Sequence, residues 1–104
     1  MLSVTDANFD EILNAPVAVV DFWAPWCPGC VQLKPTMEQL AEDLKDDVLV
    51  VGANVDDNEA AAARYEVTGI PATVFMKDGK EVHREIGAMP KGKLRDLVAK
   101  HLGI

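Results

Sequence analysis

The sequence predicts an α/β domain built on a mixed central β-sheet with helices on both faces. Nearly continuous apolar runs, typical of buried strands, alternate along the chain with amphipathic helical segments. The last two strand segments flank Asp78-Gly79, a dipeptide suited to a tight antiparallel turn. At 104 residues the chain has the length of one domain. We therefore expect the order βαβαβαββα in a single domain over residues 1–104.

The N-terminal part is predicted to form a strand, a helix and a second strand. A short strand precedes a helix that Thr5-Asp6 caps, because apolar residues recur behind this pair at helical spacing. Val17–Trp23 is rich in β-branched and aromatic residues, which indicates a strand covered on both faces. Asp21 is the one charged residue within that strand.

The middle of the chain predicts two helices separated by a buried strand. A long helix with one apolar stripe runs from about Cys27 to Leu44, and Pro35 is expected to kink it. Val48–Asn54 predicts the next strand, and Asn58–Tyr65, with four consecutive alanines, a short helix. Together these segments form a βαβ unit.

The C-terminal part predicts a hairpin followed by a helix. The hairpin pairs Thr73–Lys77 with Lys80–Ile86 across a two-residue turn whose central residues need positive φ. Gly87 ends the hairpin, and Lys91–Leu102 carries its leucines and valine on one face of a helix.

Composition and charge exclude several classes of function. The formal net charge is −7, without a dense stripe of Lys and Arg, which argues against nucleic acid and anionic membrane as partners. No apolar run approaches the roughly 20 residues of a membrane-spanning helix. The first residues do not have the pattern of a secretory signal, so the expected location is cytoplasmic.

Cys27-Pro28-Gly29-Cys30 follows a predicted strand and begins a predicted helix, a context typical of a redox-active cysteine pair. In a helix, Cα atoms three residues apart lie roughly 5 Å from each other, which a disulfide tolerates. Unpaired N–H groups and the helix dipole stabilise a thiolate at a helix N-terminus. We therefore expect Cys27 to be the nucleophile and Cys30 the more buried, resolving thiol.

Two other interpretations of the cysteines are weaker. A zinc site needs about four ligands, and only His83 and His101 could complete it, without ligand-like spacing to the cysteines. Inert core cysteines do not explain the flanking Trp, Pro and Gly residues. The histidines and the acidic residues Glu42-Asp43 and Asp46-Asp47 are interpreted as solvated surface. No metal is expected, and no cofactor-binding motif is present, so electrons must come from another protein.

Several further segments, together with the cysteine pair, resemble the thioredoxin family in order and spacing. They are Val19 to Cys27, Pro35, Asn54 to Asp56, Tyr65 to Pro71, and Gly87-Ala88. The resemblance spans nearly the whole chain and implies the thioredoxin fold.

The resemblance also implies roles for residues outside the cysteine pair. It implies a cis peptide at Ile70-Pro71, which faces the dithiol and leaves the Ile70 backbone free to pair with an extended substrate. Asp21 resembles the family's buried carboxylate, which exchanges a proton with the resolving cysteine; burial is expected to raise its pKa. The implied substrate-binding residues are Trp26, Pro28, Gly29, Gly69, Ile70, Pro71, Gly87 and Ala88.

The implied activity is protein disulfide reduction. Disulfide-containing proteins would be the substrates, a reductase of the thioredoxin-reductase type would supply electrons, and the protein would act as a monomer. A dithiol oxidase or isomerase on the same fold differs only in the direction that the redox potential favours. A binding module with incidental thiols is the alternative outside enzyme chemistry.

Four features depart from the common family pattern. They are the inverted order Pro28-Gly29, Val31 in place of a cation, Gly52 in place of a lysine, and Ala72 in place of a threonine. Because Gly29 has an N–H where the usual proline has none, we expect that N–H to point at the Cys27 sulfur and make the disulfide more oxidising.

Overall fold

The five strands form one mixed sheet with β2 at its centre. A computed structural model describes all residues, Met1–Ile104. The strands are β1 (Leu2–Val4), β2 (Val17–Trp23), β3 (Leu49–Asn54), β4 (Ala72–Lys77) and β5 (Lys80–Ile86), in the sheet order β1-β3-β2-β4-β5. β1, β3 and β2 run parallel, whereas β4 pairs antiparallel with both β2 and β5. The predicted fold class is confirmed.

Helices cover both faces of this sheet. They are a 3₁₀ helix (Phe9–Asn14), α1 (Pro28–Asp43), α2 (Glu59–Arg64) and α3 (Lys91–Leu102). One face packs on the 3₁₀ helix and α2, through Phe9, Ile12 and Ala61. The other face packs on α1 and α3, through residues such as Leu33 and Leu94. None of the helices is both long and apolar enough to cross a membrane.

The alternation of side chains along β2 divides its residues between the two cores. Val20 packs in the core beneath α2, and Val19 packs in the core beneath α1. Asp21 follows Val19 by two residues, so its side chain points toward the α1 face. The strand therefore places one carboxyl group in the apolar layer under the helix that begins at the cysteine pair.

The hairpin between β4 and β5 forms as the sequence predicts. Asp78 and Gly79 have φ values of 52° and 78°, the positive values that the two-residue turn requires. The register shifts between Phe75 and Met76, which marks a β-bulge near the turn.

The first helix differs from the prediction in type and in capping. It is a 3₁₀ helix that Asn8 precedes, and Thr5 and Asp6 do not cap it. Instead, the two carboxylate oxygens of Asp6 accept the N–H groups of Ala60 and Ala61 in the first turn of α2, each at 3.0 Å. The prediction that this pair caps the first helix is therefore wrong, because Asp6 caps a helix that is distant in sequence and adjacent in space.

We expect Asp6→Ala to lower the free energy of unfolding by about 1 kcal/mol, because two N–H groups of α2 lose their acceptor. Urea unfolding of the variant measures this. Asp10→Ala is the matched control, since it removes only the exposed ion pair with Arg64 and should cost less than about 0.5 kcal/mol. Equal losses in the two variants would contradict the capping role.

Candidate active site

The cysteine pair lies where the chain passes from β2 into α1. Cys27 is the N-cap residue, with extended backbone (φ −102°, ψ 112°), and Pro28 occupies the first helical position, where a missing N–H costs nothing. The Cys27 Sγ accepts the backbone N–H of Cys30 at 3.3 Å. The sulfur therefore takes the place that a serine or aspartate oxygen takes in other helix caps.

The two sulfurs are joined in a disulfide. Their Cα atoms lie 5.2 Å apart, in agreement with the helical spacing of the pair. The two residues differ in access to solvent, because Cys27 retains 8% of its surface and Cys30 none. The Cys27 Sγ also lies 3.8 Å from the carbonyl oxygen of Ile70.

The expected hydrogen bond from the Gly29 N–H to the Cys27 sulfur does not form. The donor to this sulfur is the N–H of Cys30, the third helical residue. That donor is present whichever order the intervening dipeptide has. The disulfide form therefore does not have the extra Gly29 donor that was expected, and the expectation of a more oxidising disulfide stays a prediction.

Two loops meet the cysteine pair. The Ile70-Pro71 peptide is cis, as the resemblance implies. Pro71 packs beside Gly29, since a Cβ on Gly29 would lie 3.4 Å from its Cδ atom. The Pro71 carbonyl accepts the N–H of Gly87 at 2.8 Å, and Gly87 has a φ of 99°, which favours glycine. The structure thus brings these predicted residues together around Cys27.

An exposed apolar rim surrounds the pair. Trp26 is 66% exposed, and its indole N–H donates to Asp56 at 3.2 Å. Ala88 and Pro28 are also exposed. Two residues that the sequence analysis left out of the substrate surface extend this rim: Ile86, which lies beside Gly69, and Val31 in the first turn of α1. The sequence did contain a signal for Ile86, which is an isoleucine at the end of an edge strand and next to Gly87.

Asp21 is buried in the central row of the sheet with 1% of its surface exposed. In the register its neighbours are Gly52 on β3 and Thr73 on β4. Burial raises the pKa of Asp21 to about 7, because the charged form loses most of its contact with bulk solvent. Its Oδ1 atom has no hydrogen-bond partner. A carboxyl group of this kind can hold a proton near neutral pH and release it.

Both histidines are half-buried, so the interpretation of them as solvated surface holds only in part. The rings of His83 and His101 stack with centroids 4.0 Å apart, and both rings pack against Phe75. Alternation on β5 places His83 on the α3 face, where the apolar ring of Phe75 attracts it. No group of three or more potential ligands gathers there or elsewhere to hold a metal ion. The acidic residues at 42, 43, 46 and 47 are exposed, as expected.

A disulfide at the start of a helix, on a mixed sheet and beneath an exposed apolar rim, defines a dithiol–disulfide oxidoreductase. The thioredoxin family profile matches residues 1–100. The chain is 39% identical to a thioredoxin of Staphylococcus saprophyticus over 102 residues, which is 98% of each chain. It is 40% identical, with the same coverage, to thioredoxins of Staphylococcus haemolyticus and Staphylococcus aureus.

The chain belongs to the thioredoxin family. Its activity is accordingly that of a protein disulfide reductase, which exchanges a dithiol for a disulfide.

The buried carboxyl makes stability depend on pH. The pKa of Asp21 is about 7 in the folded chain against 3.8 in its ordinary state, so as pH rises the unfolded chain releases this proton first. The stabilisation that comes from keeping Asp21 protonated in the fold is complete below about pH 4. It is lost by pH 7 and above, and the free energy of unfolding falls by about 4 kcal/mol in all. Asp21→Asn should remove this dependence and be more stable than wild type above pH 7.

Unfolding in urea across this pH range measures the difference. The exposed Asp46→Asn serves as the control and should follow wild type at every pH. If wild type and Asp21→Asn keep a constant difference in free energy from pH 4 to pH 8, Asp21 does not titrate as its burial requires.

Proposed function

We propose that Cys27 is the attacking thiolate and Cys30 the resolving thiol in the reduction of protein disulfides. The Cys27 thiolate attacks one substrate sulfur, and the other leaves as a thiolate that takes up a proton. Cys30 then loses its proton and attacks the Cys27 sulfur, which releases the second substrate thiolate. Two electrons pass to the substrate, and the Cys27–Cys30 disulfide remains.

The observation that carries this assignment is the different environment of the two sulfurs. Cys27 is the one with exposed surface, and its sulfur already accepts an N–H at the helix N-terminus. A hydrogen bond to a thiolate is stronger than one to a neutral sulfur, so the same contact favours the charged, nucleophilic form. Cys30 is fully buried and can meet only a partner that is already attached at Cys27.

Asp21 is proposed to accept the proton of Cys30 during the resolving step. Support comes from its position under α1, from its burial and from a pKa near 7, which suits a group that must both take and release a proton at neutral pH. It is a proton acceptor that the fold keeps away from solvent.

Substrates are proposed to dock as extended segments on the apolar rim. The Ile70 carbonyl lies next to the Cys27 sulfur, where backbone pairing would hold a substrate strand without regard to its side chains. The proposed contact residues are Trp26, Pro28, Gly29, Gly69, Ile70, Pro71, Gly87 and Ala88.

A reductase of the thioredoxin-reductase type is proposed to return two electrons to the disulfide. The cycle requires a compartment that keeps thiols reduced, which favours the cytoplasm. We propose that residues 1–104 act as one domain and as a monomer, which leaves the rim around Cys27 free for both partners.

Insulin reduction tests the assignment of the cysteines. Cys27→Ser should abolish turnover, because no thiolate remains to attack the substrate. Cys30→Ser should accumulate a mixed disulfide through Cys27, since the resolving thiol is absent. Mass spectrometry of the trapped species identifies the attached cysteine. Trapping on Cys30 in the Cys27→Ser protein, and none on Cys27 in the reciprocal variant, would reverse the roles.

Trp26 tests the docking surface. Trp26→Ala should lower kcat/KM for a protein disulfide by about tenfold, because a large exposed ring at an interface contributes more than most contacts. Reduction of a small aromatic disulfide should change much less. Val82→Ala, an exposed apolar residue of β5 outside the rim, is the control and should leave both rates unchanged. If Trp26→Ala lowers kcat/KM equally for the two substrates, the substitution acts on the reactivity of the dithiol and not on docking.

A further inference from the structure

Thr73 is a polar side chain that the chemistry described so far does not use. It lies in β4 with none of its surface exposed, and its hydroxyl has no hydrogen-bond partner. A buried hydroxyl without a partner destabilises the folded chain, so its position needs a reason. Thr73 is directly opposite Asp21 in the antiparallel pairing of β2 with β4, and Asp21 also holds an oxygen without a partner.

The register places the two side chains within reach of each other. Residues directly opposite in an antiparallel pair point to the same face, with Cβ atoms roughly 4.5–5.5 Å apart. The threonine hydroxyl is one bond from its Cβ atom and the carboxyl oxygens are two bonds from theirs. Rotation about the χ1 angle of Thr73, or one bridging water, is enough to join the hydroxyl to the carboxyl group.

The other polar neighbour of Thr73 already has partners. Glu85 is opposite Thr73 on β5, and its two oxygens contact His83 at 2.8 Å and Lys93 of α3 at 3.7 Å. The Glu85 carboxylate is also partly exposed to solvent. The oxygen that lacks a partner in this row of the sheet is that of Asp21.

No charged group compensates Asp21 from its other sides. Gly52 of β3 has no side chain, and a Cβ there would lie 3.2 Å from the Trp23 indole nitrogen. On α1, Cys30 is the titratable group of the first turn, and the Lys34 ammonium lies over the Trp23 ring, 5.1 Å from its centre. The Thr73 hydroxyl is thus the neighbouring donor on the sheet that can meet this carboxyl.

We propose that Thr73 is a positioning residue, whose hydroxyl hydrogen-bonds the Asp21 carboxyl and sets how readily it takes the proton of Cys30. The inference rests on the proposed role of Asp21. A hydroxyl donates more strongly to a carboxylate than to a neutral carboxyl group, so the bond favours the ionised, proton-accepting form. It replaces, with a neutral donor from β4, the cation that Gly52 cannot provide from β3.

Thr73→Val tests the proposal, because valine has the same shape and lacks the hydroxyl. The pKa of Asp21, followed by NMR of its carboxyl carbon, should rise by about 0.5 to 1. The pH midpoint of insulin reduction should rise equally, which lowers the rate at pH 7 by about two- to fivefold. Thr73→Ser, which restores the hydroxyl, should return both values to those of wild type.

Comparison of the Asp21 and Thr73 variants separates this proposal from the proposed role of Asp21. If Asp21→Asn leaves the pH profile of reduction unchanged, Asp21 is not the proton acceptor and both proposals fall. If Asp21→Asn alters the profile but Thr73→Val keeps the wild-type pKa and midpoint, Thr73 alone is excluded. Thr73→Ser shifted as far as Thr73→Val would also exclude it. In the Asp21→Asn background, Thr73→Val should have no effect on the profile, and a midpoint that still moves would contradict the coupling.

Discussion

The hydrogen bond from the Cys30 N–H to the Cys27 sulfur organises the site. It satisfies a backbone donor at the start of α1 and fixes Cys27 at the end of the helix, with Cys30 one turn inside. The difference in exposure of the two sulfurs follows from this placement. Pro71 packs beside Gly29, which lies between the cysteines, and the adjacent Ile70 carbonyl lies beside the Cys27 sulfur.

The buried carboxyl of Asp21, unlike that hydrogen bond, destabilises the folded chain when it ionises. Burial is what raises its pKa to about 7, and the same burial makes the folded state less stable as the group ionises. A side chain that we propose to assist the resolving step therefore costs folding free energy at neutral pH, as is common for groups in active sites. Met1 and Trp23 fill the space beside Gly52 on the β3 side of Asp21. A polar neighbour can therefore reach the Asp21 carboxyl from β4.

The rim around the dithiol is apolar, with few charges. Trp26, Val31 and Ile86 are each more than half exposed. Apolar contact and backbone pairing are insensitive to the identity of a substrate's side chains. The proposed docking surface would therefore suit many protein disulfides, with extended geometry, more than charge, as its basis for selection.

The sequence by itself determined the elements and the reactive pair. Val17–Trp23 predicted a buried strand and Asp78-Gly79 a turn, because these depend on interactions between near neighbours in the chain. The spacing of the cysteines likewise predicted a helix-start dithiol. Tertiary structure alone decided which distant groups meet: Asp6 caps α2, and the two histidines stack. Thr73 is opposite Asp21 only because β4 pairs with β2 in one register, and a shift of one residue would turn its hydroxyl to the other face.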